Sequence, residues 1–420
     1  MSSSAGRRTK PAHVLDFFHD KNDDSALTVF ANGVRFHAFV DFKRIKGAAE
    51  GNDKAVEEYS KLIKMVRGRS QKDQPQRSED TKADHGDEAT YCVPTAGSHD
   101  SGVVLEDNDK AENDSEEKLQ AWILSHLEAE IDKFAPSRSE MQTANVYDWY
   151  HPSTHFYALQ YTDGDIVPRE LEATPALRFK MDNLLPNVTL PKNILNLNIP
   201  SIQASELEIV ETSGPLPTLV RHNDNLYFLK VVDPTQPAPT KREIKIMKHI
   251  EKLNLHKEMR VPQVKGLVSF SNSRTDIMGF LQTHIEGAEP LTHLLDSDVP
   301  QSKRDGWATE SEKMVKLLHK HDLVWGDAKA DNFMVDKDDK LWIIDFGGSY
   351  TEGWIDPELN ETVEGDDMGT KKIVNALHDP DANTFDLDDT TAAEENGLKR
   401  RHSEEEDQEE VYTDKKARVE

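Results

Sequence analysis

Cysteine is nearly absent from this chain. Cys92 is the only one in 420 residues, which excludes an intrachain disulfide framework and points to an intracellular setting. Long apolar runs are missing as well. No stretch approaches the ~18 residues that a membrane-crossing helix needs, and residues 1–10 are polar and basic without an apolar core. The expectation is a soluble protein of the nucleus or cytoplasm, with no membrane partner and no secretory signal. Positive charge is scarce: 51 Lys and Arg face 78 Asp and Glu, for a net charge of −27. A phosphate backbone rewards a cationic excess, so direct nucleic-acid binding is not expected. Hydrophobic residues reach only 36% against 31% charged, too few to bury the whole chain, so part of it is expected to stay unfolded.

What is present divides unevenly along the chain. Residues 1–24 read as a disordered polar tail. Residues 25–68 read as an accessory hairpin and helix, with Asn32-Gly33 as the turn signal and Val56, Tyr59, Leu62, Ile63 and Val66 as an apolar helix stripe. Residues 69–117 are a disordered acidic insert by composition. Residues 118–204 read as an accessory helical region, opening on a stripe from Leu119 to Phe134 and continuing into the aromatic cluster Tyr147, Trp149, Tyr150, Phe156 and Tyr157. Aromatics at that density are expected to be core. His151 and His155 have metal-like spacing, but Pro152 breaks a shared helix and no third ligand stands out, so no metal is expected there. Residues 379–420 form a disordered acidic tail. Its basic clusters, 399–401 and 415–418, have the spacing of a bipartite nuclear-import signal, which makes an import receptor a candidate partner.

The most informative stretch is residues 319–348, HKHDLVWGDAKADNFMVDKDDKLWIIDFGG. Two short apolar runs, 333–335 and 341–344, flank a polar Asp/Lys turn, as in a tight hairpin. Asp327 and Asn332 precede the first run and Asp345 follows the second, so carboxylates and an amide converge at one hairpin end. Oxygen donors so placed suit a Mg–nucleotide site, because Mg²⁺ shares its ligands between protein and phosphates. Upstream, residues 207–211, 218–221 and 225–232 read as strands, the last carrying Lys230 among apolar neighbours. Residues 241–253 read as a helix with Glu243 at its start, and two more strands lead to a hinge at Thr283.

A strand lysine, a helix glutamate and the Asp…Asn…Asp-Phe-Gly hairpin, in this order and spacing, resemble the protein-kinase-like superfamily, and the whole is similar to the divergent kinase-like proteins common in fungi. The resemblance covers residues 205–378. It implies an α+β, bilobal fold: a small strand-rich lobe and a truncated helical lobe, beside the accessory N-terminal region. It also implies ATP and Mg²⁺ as cofactors, with roles residue by residue. Lys230 would neutralise phosphates and pair with Glu243, and Gln282, Thr283 and His284 would offer hinge backbone groups to adenine. Asn332 and Asp345 would hold the metal, Asp327 would take the acceptor's proton, and Lys329 would stabilise the transferring group. Phe346, Gly347 and Asp366 would support the site.

Departures from the pattern carry expectations of their own. Residues 213–217 hold one glycine and two prolines where a glycine-rich loop belongs. Trp325 replaces the catalytic-loop histidine. Gly326 replaces the arginine that holds a phosphorylated activation loop, so activity is expected not to depend on phosphorylation of Ser349, Tyr350 or Thr351. Glu358, in Asp-Pro-Glu, lacks a visible arginine partner, and the missing last helices are expected to be replaced by residues 118–134. Three function readings stand: a Ser/Thr protein kinase, a pseudokinase scaffold, and a small-molecule kinase resembling aminoglycoside and choline kinases. The phosphoryl acceptor, protein or small molecule, is not legible.

Overall fold

The computed structural model describes residues 12–49, 53–70, 107–136, 144–271 and 273–383. The basic clusters of the tail and most of the acidic insert lie outside these residues. The fold is α+β, strand-rich in its N-terminal part and helical later.

The N-terminal part is a five-stranded sheet in the order β1 (His13–His19), β2 (Ser25–Ala31), β3 (Val34–Val40), β4 (Thr154–Thr162), β5 (Asp165–Leu171). Asn32 and Gly33 both take positive φ between β2 and β3, the backbone that a two-residue hairpin turn demands. β3 and β4 are parallel. Their long crossover carries α1 (Phe42–Ala48), α2 (Lys54–Ser70), α3 (Asp107–Ser125), α4 (Glu128–Phe134) and α5 (Val146–Tyr150). Asp41 caps α1 by accepting from the Arg44 N–H. α2, α3 and α4 bury Tyr59, Ile63, Leu119, Ile123 and Ile131 in one core with Leu27, Val29 and Phe36 of the sheet.

This differs from the sequence expectation in four places. β1 lies inside the stretch read as a disordered tail, because Phe17 and Phe18 find a sheet edge. α3 begins at Asp107, within the stretch assigned to the insert. The region read as helical contains the β4–β5 hairpin. Finally, the stripe of residues 118–134 packs on this sheet rather than completing the helical part.

Short elements follow: α6 (Pro175–Asp182), β6 (Val188–Thr189), α7 (Lys192–Leu195) and β7 (Ser201–Gln203). A six-stranded sheet then assembles in the order β7, β11, β13, β10, β9, β8. Its members are β8 (Glu208–Ser213), β9 (Leu216–His222), β10 (Asn225–Val231), β11 (Val264–Ser269) and β13 (Gly279–Thr283), with α8 (Pro237–Lys252) between β10 and β11. The short β12 (Asp276–Ile277) pairs with β6. Side chains alternate across this sheet with period two. Leu267 and Phe280 join α8 in one core, while Val268 and Leu281 join α5 and Val220 in another.

The first of those cores runs on into the helical part. There α9 (Gln301–Lys320) and α10 (Val363–His378) pack around a small sheet of β14 (Glu289–Pro290), β15 (Phe333–Val335) and β16 (Leu341–Ile343). The buried Arg304 of α9 donates to the carbonyl of Leu377 at 2.6 Å and so closes the end of α10. Glu358, which the sequence left without a partner, is exposed. Among the described residues no helix is long and apolar enough to cross a membrane.

Candidate active site

Lys230 stands near the end of β10, paired across to Phe280 of β13. Its Nζ lies 2.7 Å from an oxygen of Glu243 on α8 and 3.0 Å from Oδ1 of Asp345, just past β16. Three separate elements therefore meet on one ammonium. Glu243 is buried at 2% exposure, and Gln282 donates its amide to the second Glu243 oxygen at 3.0 Å. Burial alone would lower the Lys230 ammonium, but Asp345 and Glu243 outweigh it and hold it above its ordinary value. Burial pushes the Glu243 carboxyl up, against the pull of Lys230. Burial also works to raise the Asp345 carboxyl, yet Lys230 and the Gly347 N–H hold it below the usual range.

Asp345 takes φ +53, a left-handed conformation uncommon for a non-glycine residue and frequent where strain is built into a site. Phe346 behind it is buried in the same core as Met247 of α8.

The second half of the site is the loop before β15. Asp327 is buried at 5% exposure; its Oδ2 accepts from the Asn332 amide at 2.8 Å and its Oδ1 accepts from the Thr351 hydroxyl at 3.0 Å. Lys329 Nζ lies 3.5 Å from Asp327 and donates to Thr351 Oγ1 at 3.2 Å. Burial raises the Asp327 carboxyl above its ordinary value, with Lys329 and Asn332 pulling the other way. The Ile344 N–H donates to the Asn332 carbonyl at 3.0 Å, tying this loop to the strand end that carries Asp345.

Two further residues hold the loop from below. Asp366 on α10 is buried and accepts from the N–H groups of Trp325 at 2.7 Å and Gly326 at 2.8 Å. Trp325 is fully buried and donates its indole N–H to the Ile344 carbonyl. Gly369 lets α10 approach closely, since a Cβ there would sit 2.2 Å from the Ala328 carbonyl.

Two participants escaped the sequence reading. Arg242, beside Glu243 on α8, donates to the carbonyls of Val324 at 3.0 Å, Trp325 at 2.9 Å and Phe346 at 2.6 Å. It occupies the space beside Gly326, whose φ is +90 and where a Cβ would lie 2.5 Å from the guanidinium. Gly326, standing where an arginine was expected, was the available signal. Thr351 is the other. The sequence presents it only as a phosphorylation position, yet it is 3% exposed and bonded to both Asp327 and Lys329.

Of the three hinge residues, Gln282 and Thr283 still belong to β13, and the Thr283 N–H already donates to the Gln263 carbonyl. Only His284 follows the strand. The hairpin between β8 and β9 is tighter than expected: Ser213 pairs with Leu216, so only Gly214 and Pro215 turn. Trp149 donates its indole N–H to the Pro215 carbonyl at 2.8 Å, which fixes the hairpin tip to α5.

The residues present suit a Mg²⁺ ion carried with phosphates. Asn332 commits its amide N–H groups to Asp327, leaving Oδ1 as its donor atom; Asp345 commits Oδ1, leaving Oδ2. Two hard oxygens match an ion that takes one or two protein ligands plus substrate oxygens. No protein-family model matches the chain, and no curated protein matches it.

Proposed function

We propose that residues 205–378 form a bilobal protein-kinase-like domain and that the chain is an ATP- and Mg²⁺-dependent phosphotransferase acting on Ser or Thr of proteins. The observation that carries the reading is the convergence on Lys230 of Glu243 and Asp345, beside a buried Asp327 held by Asn332 and Thr351. A salt bridge alone would need no such second group. In this reading Lys230 Nζ binds phosphate oxygens, and Glu243 with Gln282 keeps it aimed. Asn332 and Asp345 would hold Mg²⁺, which when bound neutralises charge on the phosphates. Asp327 orients the acceptor hydroxyl and takes its proton, and its raised basicity suits that task. Lys329 lies beside the same carboxylate, where negative charge develops on the transferring group.

Thr351 favours a protein acceptor over a small molecule. It joins the segment after Phe346 to Asp327 and Lys329, so the surface that would receive a peptide is tied to the catalytic groups. The alternative of a binding-only scaffold rests on the short, pinned β8–β9 hairpin, which offers few N–H groups to phosphates. The deciding experiment offers labelled ATP and Mg²⁺ to the full chain with a mixed Ser/Thr peptide pool and with amino alcohols. Transfer to peptides that falls about a thousandfold or more in Asp327→Asn is the expected result. Transfer to amino alcohols alone would favour the small-molecule reading, and transfer unaffected by Asp327→Asn would contradict the assignment of roles.

A further inference from the structure

A groove of about 480 Å³ opens at the end of the β15–β16 hairpin remote from Asn332 and Asp345. It lies between the hairpin turn, the stretch that follows β14 and the first turns of α9, and its volume falls within the ~300–1,000 Å³ typical of ligand clefts. Leu294, Val299, Trp307 and Val335 give it an apolar floor. Its walls are fixed to each other. Trp307 donates its indole N–H to the Asp339 carbonyl at 3.0 Å, and Lys303 pairs with the Asp339 carboxylate at 2.7 Å.

Charge around the groove is one-sided: Glu289, Asp296, Asp298, Asp336 and Asp339 line it against two lysines and one histidine. Those three cations are already engaged. Lys303 is taken by Asp339, Lys337 turns to Glu286 at 2.6 Å, and His293 lies 4.0 Å from Glu289. Asp336 serves its own hairpin, accepting from the N–H groups of Asp338 and Lys340 and from the Trp342 indole. Asp296 and Asp298 remain, both exposed and neither in an ion pair among the described residues. The groove therefore offers unpaired carboxylates beside an apolar floor, which suits cations that follow an apolar side chain.

The described chain ends close by. Arg304 of α9 donates from Nε to the carbonyl of Val299 in the groove wall at 3.0 Å, and from Nη1 to the carbonyl of Leu377 at 2.6 Å. One guanidinium thus spans from the groove to the last turn of α10, and α11 (Pro380–Asn383) follows directly. Asn383 is six residues past Leu377, at most about 22 Å away. Beyond it the sequence carries Leu398-Lys399-Arg400-Arg401, an apolar side chain followed by three cations. Sixteen residues separate Asn383 from Lys399, a reach of up to about 53–58 Å, which is more than the return to the groove requires. Exposed ion pairs are individually weak and screened by salt, so a free basic peptide would be held loosely. A segment of the same chain meets the groove at an effective concentration on the order of millimolar, which favours it over a separate partner.

We propose that this groove is a docking site for residues 398–401 of the same chain, with Leu398 on the apolar floor and the three cations facing Asp296 and Asp298. The proposal does not depend on the phosphotransferase reading. A cation triplet held there is withheld from other acidic partners, an import receptor included.

Trypsin tests this on the full chain, because it cuts after Lys and Arg and the cluster at 415–418 serves as an internal comparison. Each cleavage rate in low-salt buffer is divided by that of a synthetic peptide of the same sequence. Cleavage at 399–401 should be about tenfold slower than in its peptide, while 415–418 is cut within about twofold of its peptide rate. The protection should be lost in the Asp296→Asn, Asp298→Asn double variant. Both positions are exposed, and asparagine keeps the oxygen that accepts from the Asp298 N–H, so the variant should fold normally. Four results would each overturn the proposal: cleavage at 399–401 at the peptide rate, equal protection of both clusters, protection that survives in the double variant, or protection lost on dilution. The last would assign the groove to the tail of a second copy.

Discussion

Thr351 shows how much one hydroxyl carries. It donates to Asp327 and accepts from Lys329 with almost no exposure to water, so its removal strands both charges. Thr351→Val should destabilise the chain by about 1.5–3 kcal/mol in urea unfolding, while Thr351→Ser should recover most of the loss. Equal stability of the two variants would show that the hydroxyl does not hold the pair. Single residues were also where the sequence was most legible. Asp327, Asn332, Asp345, Lys230 and Glu243 were readable because the spacing of charged residues next to short apolar runs marks strand ends. Arg242 was not, since an arginine beside a glutamate on a helix looks like any solvated pair. Its partners are carbonyls 82 to 104 residues away, and no local pattern encodes a backbone acceptor.

Helix α8 and the loop at Gly326 behave as one element through that arginine. Charge-assisted hydrogen bonds to three carbonyls, at about 1.5–3 kcal/mol each net of the exchange with water, hold Glu243 close to Lys230. Arg242→Ala should therefore lower stability by several kcal/mol, and Gly326→Ala should cost more than the ~1 kcal/mol typical of a strained glycine site, because it adds a clash with the guanidinium. Chemical denaturation checks both; a neutral Gly326→Ala would remove the clamp from the account. In the N-terminal sheet the sensitive element is the β2–β3 pair. His37 of β3 is buried against the Thr28 hydroxyl at 2.9 Å, and burial, with Lys180 adding to it, depresses its pKa to about 3. The unfolded chain takes up that proton below about pH 6.5 and the folded chain does not. The stabilisation is complete above that pH and drains away toward pH 3, at about 1.4 kcal/mol per pH unit at most. The Thr28→Val, His37→Phe pair should flatten the slope between pH 6.5 and 5; an unchanged slope would place the acid sensitivity elsewhere. The Asn32-Gly33 hairpin was readable here because its turn chemistry is local. The parallel β3–β4 pairing was not, since more than a hundred residues, five helices among the described ones, separate Val40 from Thr154 and nothing nearby announces the partner.

At the scale of the molecule, the β8–β9 hairpin tip is bonded to Trp149, and α8 is bonded to the loops that flank Asp327 and Phe346. Little is left for a phosphate to switch. Arg242 fills the place beside Gly326, so phosphorylation of the more accessible Ser349 or Tyr350 should change turnover by less than about twofold, the range of an exposed charge contact, whereas a phosphate on the buried Thr351 would break its bonds to Asp327 and Lys329 and lower turnover. A tenfold rise after phosphorylation, measured on protein of defined stoichiometry by mass spectrometry, would overturn this. Whole-chain order was the least legible level in the sequence. Low hydrophobicity marks the chain as short of core-forming residues, yet β1, β4 and β5 fall in stretches that read as a tail and as helix, because half-buried and exposed positions interrupt their apolar pattern. The central claim is that Lys230, Asp345 and Asn332 form a nucleotide site, and thermal unfolding of the full chain with and without Mg–ATP tests it most directly. At a hundredfold excess over Kd, binding should stabilise the chain by about 2.7 kcal/mol, a rise of a few degrees that Lys230→Met abolishes. No rise at millimolar Mg–ATP, or an equal rise in Lys230→Met, would contradict it.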